Sequence, residues 1–290
     1  MASIFPSDNG QLLISKDGTK IWAEAAGDPA NPPVVFIHGV ACTALVFDNQ
    51  FSDSNLLDNI YMIRYEMRGH GRSGHPLDFD SYASLRFAED FMAVYNAFQL
   101  KKPFICGWSM GSFVPVDVIE AYGAGILGGI ILPGGPAITR SLHTEYMGDF
   151  LKNNVPRFLS SSADIQGEAA VEFIESCVRN PEAMSFETKM KWIGGYVIQS
   201  ATVRTHLITR EQSSQRWEKE IQNVPVLLIQ GDSDRHVVVD KIIPMAQKYY
   251  ARLELHVLKG CGHTPCFERA EETNRLLLDF VQRHAVKVGA

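Results

Sequence analysis

The chain has 290 residues, 46% of them hydrophobic and 21% charged, with a net charge of −6. That length buries a sizeable core, as one large α/β domain or two small ones. An acidic balance with no basic cluster argues against nucleic acid or an anionic membrane surface as a partner.

The opening stretch MASIFPSDNGQLL lacks the basic region and long apolar run of a signal peptide. No apolar run reaches bilayer length, so the expectation is a cytoplasmic protein without a membrane span. Residues 11–15 and 20–27 read as a hairpin about the turn KDGT. Short β-branched runs at 32–39, 60–66, 102–108, 127–133, 224–231 and 253–260 read as buried strands. Helical periodicity occupies 82–99, 110–122, 239–250 and 270–285. Pro115 falls early in the second of these helices and is expected to kink it or distort its first turns.

This alternation predicts an α/β fold. Its mainly parallel sheet of about eight strands is covered by helices on both faces, because parallel neighbours need crossover connections. Residues 137–221 interrupt the pattern with helix formers and scattered aromatics. They read as a helical cap inserted between two parts of the core, 1–136 and 222–290, over the sheet edge where ligands bind.

The five cysteines are Cys42, Cys106, Cys177, Cys261 and Cys266. An odd, dispersed set is neither a disulfide framework nor a pair of CxxC zinc ligands. Cys106 reads as a small buried hydrophobe. Cys261 and Cys266 flank His263 and read as reduced thiols, with a redox effect on that loop left open.

The stretch FICGWSMGSF places Ser109 between Gly107 and Gly111, where a strand gives way to a helix. A helix N-cap would explain the serine and leave both glycines unexplained. A nucleophile on a strained turn explains all three, since strand and helix must then pack closely. Such a serine needs a base, and the base needs an orienting carboxylate. Asp232 and Asp234 follow one buried strand in LLIQGDSDRHVV, and His263 follows the last in LKGCGHTPCFE. All three loops follow strands, so they should meet at one edge of the sheet. No H-E-x-x-H or similar zinc spacing occurs.

Together with FIHGV (36–40) and YEMRGHGRS (65–73), these segments resemble the α/β-hydrolase family across nearly the whole chain. The resemblance implies that Ser109 is the nucleophile, His263 the general base and Asp234 the orienting acid. Asp234 is the second acid of the family's G-x-x-D pattern, which leaves Asp232 as a turn residue. It also implies an oxyanion hole from the N–H groups of Val40 and Met110. His38 then holds its loop by side-chain hydrogen bonds, His70 and His75 lie in a turn-rich loop, and His236 is a surface residue or a neighbour of the site. Glu66 stands where the family usually has Asp, which touches that loop's geometry rather than the catalysis.

The implied activity is hydrolysis of a carboxylic ester, lactone or thioester through an acyl-enzyme, with no cofactor and no metal. Trp108, Phe47 and the cap aromatics Phe150, Phe158, Trp192, Tyr196 and Trp217 are candidate pocket residues and suggest an apolar acyl or aryl substrate. The same motifs leave open a C–C bond hydrolase, hydroxynitrile lyase, perhydrolase or acyltransferase, and a hydrolase-fold receptor with little turnover. Oligomeric state is not encoded in these features.

Overall fold

The computed structural model describes residues 10–135 and 139–285. The first residues of the chain, and the start of the expected insertion at 137, lie outside the described residues. Eight strands form one sheet: β1 (Gln11–Ile14), β2 (Lys20–Ala26), β3 (Pro33–Ile37), β4 (Tyr61–Tyr65), β5 (Phe104–Gly107), β6 (Gly129–Pro133), β7 (Val226–Gly231) and β8 (Leu253–Leu258). Their spatial order is β1-β2-β4-β3-β5-β6-β7-β8. β1 and β2 are antiparallel to each other, and β2 is antiparallel to β4. The remaining neighbours pair in parallel.

Between β3 and β6 lie α1 (Asp48–Phe51), α2 (Ser54–Asn59), α3 (Ser84–Ala97) and α4 (Val114–Tyr122). Between β6 and β7 come α5 (Arg140–Tyr146), α6 (Asp149–Phe158), α7 (Ala163–Ser176), α8 (Phe186–Val197), α9 (Ala201–Thr209) and α10 (Gln215–Glu220). The chain closes with α11 (Val239–Tyr249), α12 (Pro265–Glu268) and α13 (Ala270–His284).

Period-two alternation sorts the strand side chains into two layers. Val35 and Ile37 of β3 enter one layer with Phe87 and Phe91 of α3, Val116 and Ile119 of α4, and Ile242 of α11. Val34 and Phe36 enter the other with Leu56 of α2 and Leu277, Phe280 and Val281 of α13. Burial on both faces is why these strands read as continuous apolar runs rather than alternating ones.

Two differences from the sequence reading have local causes. Residues 109–113 form a 3-10 turn, and the α-helix begins only at Val114. Pro115 therefore occupies the first α-helical turn, where its missing N–H leaves no hydrogen bond broken. In addition, α10 packs on α4, and its Trp217 joins the core layer beneath the sheet.

A tight steric constraint lies where the 3-10 turn crosses β3. A Cβ on Gly111 would run into the Ile37 carbonyl and lie 2.7 Å from the His38 carbonyl. Both obstacles are backbone and cannot rotate away. Gly111→Ala is expected to destabilise the fold by ~2–3 kcal/mol in urea unfolding, the scale of overpacking a filled site. Gly125→Ala, where a Cβ meets nothing within 4 Å, should stay within ~0.5 kcal/mol of the parent.

Candidate active site

β5 ends at Gly107, and the chain turns through Trp108 to Ser109, whose φ is +51°. A non-glycine residue rarely adopts this left-handed region, and it persists only where the surroundings enforce it. Here Trp108 N–H donates to the Ile37 carbonyl at 3.0 Å, Ser109 N–H to Gly134 at 3.3 Å and Gly111 N–H to Trp108 at 2.8 Å. The Trp108 indole N–H also donates to the His263 carbonyl at 2.8 Å, tying the turn to the loop after β8.

Ser109 Oγ lies 2.9 Å from His263 Nε2, and His263 Nδ1 lies 2.8 Å from Asp234 Oδ2. The Asp234 side chain is fully buried, and its carboxylate meets four donors. Oδ1 accepts from the N–H of His236 at 2.7 Å and of Val237 at 3.3 Å. Oδ2 accepts from His263 and, at 2.8 Å, from Gln230 Nε2. Burial alone would raise this carboxyl's pKa, but the His263 charge and the hydrogen bonds from His263 and Gln230 outweigh it and bring it below its ordinary 3.8. The acid is thus held ionised, and an imidazole that donates from Nδ1 presents Nε2 to the serine hydroxyl. Asp232, by contrast, is exposed in the turn, where its Oδ1 accepts from Gly260 N–H and Ser233 Oγ, each at 2.8 Å.

The loop after β3 passes close to Ser109. A Cβ on Gly39 would lie 3.0 Å from both Ser109 Cβ and the Trp108 ring. Two buried imidazoles pin this loop. His38 Nε2 accepts from Met67 N–H at 3.1 Å, and its Nδ1 faces the Gly39 carbonyl at 2.7 Å. His70 Nε2 accepts from Ala41 N–H at 3.2 Å, and its Nδ1 faces the Arg68 carbonyl at 3.1 Å. Each ring must be neutral to accept on one nitrogen while donating from the other. In the next loop, Glu66 accepts from Arg72 through its backbone N–H at 2.5 Å and Nη2 at 2.7 Å. The longer acid thus serves that turn.

Val40, Met110, Ser109 and His263 face a cavity of about 270 Å³. The backbone N–H groups of Val40 and Met110 donate to no protein acceptor among the described residues. Apolar side chains dominate the remaining wall, among them Phe113, Leu151, Phe158 and Phe173. Helices α5, α6, α7 and α9, between β6 and β7, supply much of it.

Of the aromatics expected in the pocket, Phe158 lines this cavity, whereas Trp108, Phe47, Phe150, Trp192, Tyr196 and Trp217 do not. Trp108 turns toward Trp192, at 6.3 Å between ring centroids, and Trp192 packs on Phe267. Tyr196 stands behind Phe158 and Phe173, and Phe47 packs on Phe36. Trp217 packs on Tyr249 and Tyr250 because α10 lies on the core layer rather than over the site. Large rings fill whichever interior layer is nearest, and here those layers support the wall instead of forming it.

Of the two places expected for His236, the surface and the neighbourhood of the site, the structure shows the second. Its ring lies 4.2 Å from that of His263, stacks on Phe150 and faces the cavity. Ser176 Oγ donates to the Phe173 carbonyl and lies 2.7 Å from His236 Nε2, which anchors the ring to α7. Gln230 was missed, although a polar side chain closing the apolar run VLLIQ signals a specific partner. All five cysteines are buried and free, and burial pushes the Cys261 thiol far above its ordinary range. Among the described residues no group of three His, Cys, Asp or Glu is gathered as a metal site requires. Nor is any helix there long and apolar enough to cross a membrane.

An eight-stranded sheet of this order, with a left-handed serine beyond β5 and a histidine beyond β8, defines an α/β-hydrolase enzyme. Residues 28–270 match the serine aminopeptidase S33 family, and the chain belongs to that α/β-hydrolase family. A rhodomycin D methylesterase of Streptomyces sp. (strain C5) is 32% identical over 108 residues, which is 35% of this chain and 35% of that relative. That match spans about a third of the relative's length. The crystal structure of a putative aryl esterase from Burkholderia cenocepacia superposes with a TM-score of 0.86 at 25% identity, covering 95% of this chain and 99% of that one. An esterase of Rhodococcus sp. ECU1013 shares the fold with a TM-score of 0.84 at 24% identity, covering 96% and 100%.

The neutral imidazoles make the fold acid-sensitive. Burial lowers His38 from 6.5 to about 4 and His143, which lines the cavity, to about 3. Burial likewise holds His70 and His236 well below 6.5. The unfolded chain therefore binds more protons than the folded one between about pH 6.5 and 4. Stability should be full above pH 6.5 and fall continuously as pH drops toward 4. The check is the melting temperature across pH 4–8, with His38→Gln expected to show a shallower acid limb than the parent.

Proposed function

We propose that this enzyme hydrolyses small carboxylic esters, including lactones and thioesters, through a covalent acyl-enzyme. Ser109 Oγ attacks the substrate carbonyl carbon as its proton passes to His263 Nε2, and Asp234 stabilises the imidazolium across the Nδ1 hydrogen bond. The carbonyl oxygen becomes an oxyanion in the space between the N–H groups of Val40 and Met110. Collapse breaks the ester C–O bond, and His263 returns the proton to the departing alcohol. Water then enters, gives its proton to His263 and releases the acid, restoring Ser109.

The observation that carries this reading is the continuous chain from Ser109 Oγ to His263 to Asp234, at 2.9 and 2.8 Å, opening on an apolar cavity. The methylesterase relative and the aryl esterase neighbour support an ester as the bond cleaved. An aminopeptidase must hold a free α-ammonium group. Among the described residues that line the cavity there is no Asp or Glu to hold one. The cavity walls favour an apolar acyl or aryl body.

An organophosphonate should add once, and peptide mapping should place the adduct on residues 104–113. An adduct elsewhere, or none while activity persists, removes Ser109 from this role. Asp234→Asn should lower kcat by about 10³–10⁴-fold with p-nitrophenyl butyrate, because the imidazolium loses its counter-charge. Asp232→Asn should change kcat by less than about threefold, as a surface substitution outside the proton path. The reverse order of effects would reassign the acid.

A further inference from the structure

Among the described residues that line the cavity, one is a cation that the ester chemistry does not use. Arg140, the first residue of α5, lines the same cavity as Ser109. Its backbone N–H is fixed by Gln212 Oε1 at 3.0 Å, and its guanidinium lies 5.6 Å from the Phe113 ring centroid. One Nη donates to the Ile208 carbonyl. Among the described residues Arg140 forms no ion pair. The nearby carboxylate, Asp117, is already engaged by Arg210 at 2.9 and 3.2 Å and by Gln212 at 2.7 Å.

Three other sheltered arginines are compensated by carboxylates. Arg64 pairs with Glu24 and Asp48, Arg68 with Asp17 and Asp90, and Arg210 with Asp117. Arg204 has no ion pair among the described residues and its Nη2 has no partner, but it donates to the carbonyls of Phe158, Tyr196 and Gln199 within the protein interior. Arg140 alone among these faces an open, mostly apolar space with a single carbonyl partner. Burial, followed by the neighbouring Arg210 charge, lowers its pKa to about 10, so it remains a cation at neutral pH. His143 and His236 in the same wall are held neutral by burial. No acidic side chain of the described lining offsets the guanidinium. A cation partly removed from water without a counter-ion is costly unless a ligand brings the opposite charge.

We infer that Arg140 binds a carboxylate on the substrate, so that the enzyme takes esters whose other end is anionic, such as half-esters of dicarboxylic acids. A guanidinium presents paired donors that match the two oxygens of a carboxylate. A single cation among neutral walls suits a monoanion better than a phosphate dianion, which calls for more positive charge and more donors. The cavity's modest volume places the two ends of such a substrate close together. This inference rests on the reading of Ser109 as the nucleophile of an ester hydrolase.

The test compares monoethyl glutarate, adipate and suberate with the matching ethyl ester amides, which keep size and shape but lose the charge. For at least one chain length the acid should exceed its amide in kcat/KM by about ten- to a hundredfold, the worth of hydrogen bonds to a charged group. Most of the difference should lie in KM. Arg140→Met should bring the acid-to-amide ratio to about one, and Arg140→Lys should keep part of it. Circular dichroism and thermal melting establish that both variants are folded.

Calorimetry on Ser109→Ala supplies a readout that needs no turnover. The preferred half-ester should bind at least about tenfold more tightly than its amide, and Arg140→Met in that background should erase the difference. Equal binding of acid and amide, or a preference that survives Arg140→Met, overturns the inference. Selective binding in Ser109→Ala without hydrolysis by the parent, and without phosphonate labelling of Ser109, would overturn the hydrolytic reading and leave the carboxylate site standing.

Discussion

The left-handed turn at Ser109 is the constraint on which the rest of the structure depends. A serine at φ +51° is unfavourable by itself, and β3 makes it possible by lying close enough to accept Trp108 N–H. That proximity in turn excludes a side chain from Gly111 and leaves almost no room at Gly39. The parallel register of β3 with β5, Val34 opposite Phe104 through Ile37 opposite Gly107, brings both loops to one edge of the sheet. Strained backbone, glycine placement and strand order are thus one requirement seen at three scales.

Around this turn, charge is distributed unevenly. The Asp234 carboxylate meets four donors, whereas His38 and His70 each balance one donor against one acceptor. The first arrangement favours an anion, and the second favours a neutral ring. An imidazolium at His38 would lose the acceptor that holds Met67 N–H, loosening the loop beside Ser109. The loop's position therefore depends on the same burial that suppresses its charge.

Much of this architecture could be read from the sequence because its signals are local. The strands were visible as β-branched runs, since both their faces are buried. Ser109, Asp234 and His263 stood out because each follows a strand within a short, glycine-marked segment. The pocket wall was obscure for a different reason. Trp192, Tyr196 and Trp217 lie in helices whose packing partners are distant in sequence, and an aromatic ring is buried with equal ease behind a wall or within it. Which ring faces the cavity depends on how α5 to α9 settle on one another, which no single helix encodes. The choice between surface and site for His236 stayed open because its burial comes from Phe150, Phe173 and Ser176 on α6 and α7. Its neighbour Arg235 remains exposed. Gln230 was legible in principle, as the one polar side chain of its strand.

β6 and β7 are adjacent and parallel, with Pro133 opposite Ile229. The long segment between them therefore leaves and re-enters the sheet at neighbouring positions. A parallel pair needs one crossover helix, and α10, packed on α4, already provides it. Helices α5 to α9 are surplus to the sheet's connectivity. They nonetheless bury Tyr146, Val203 and Leu207 in one core layer and Ile174 and Tyr196 in the other, so the wall of the cavity and the interior of the fold are built from the same helices.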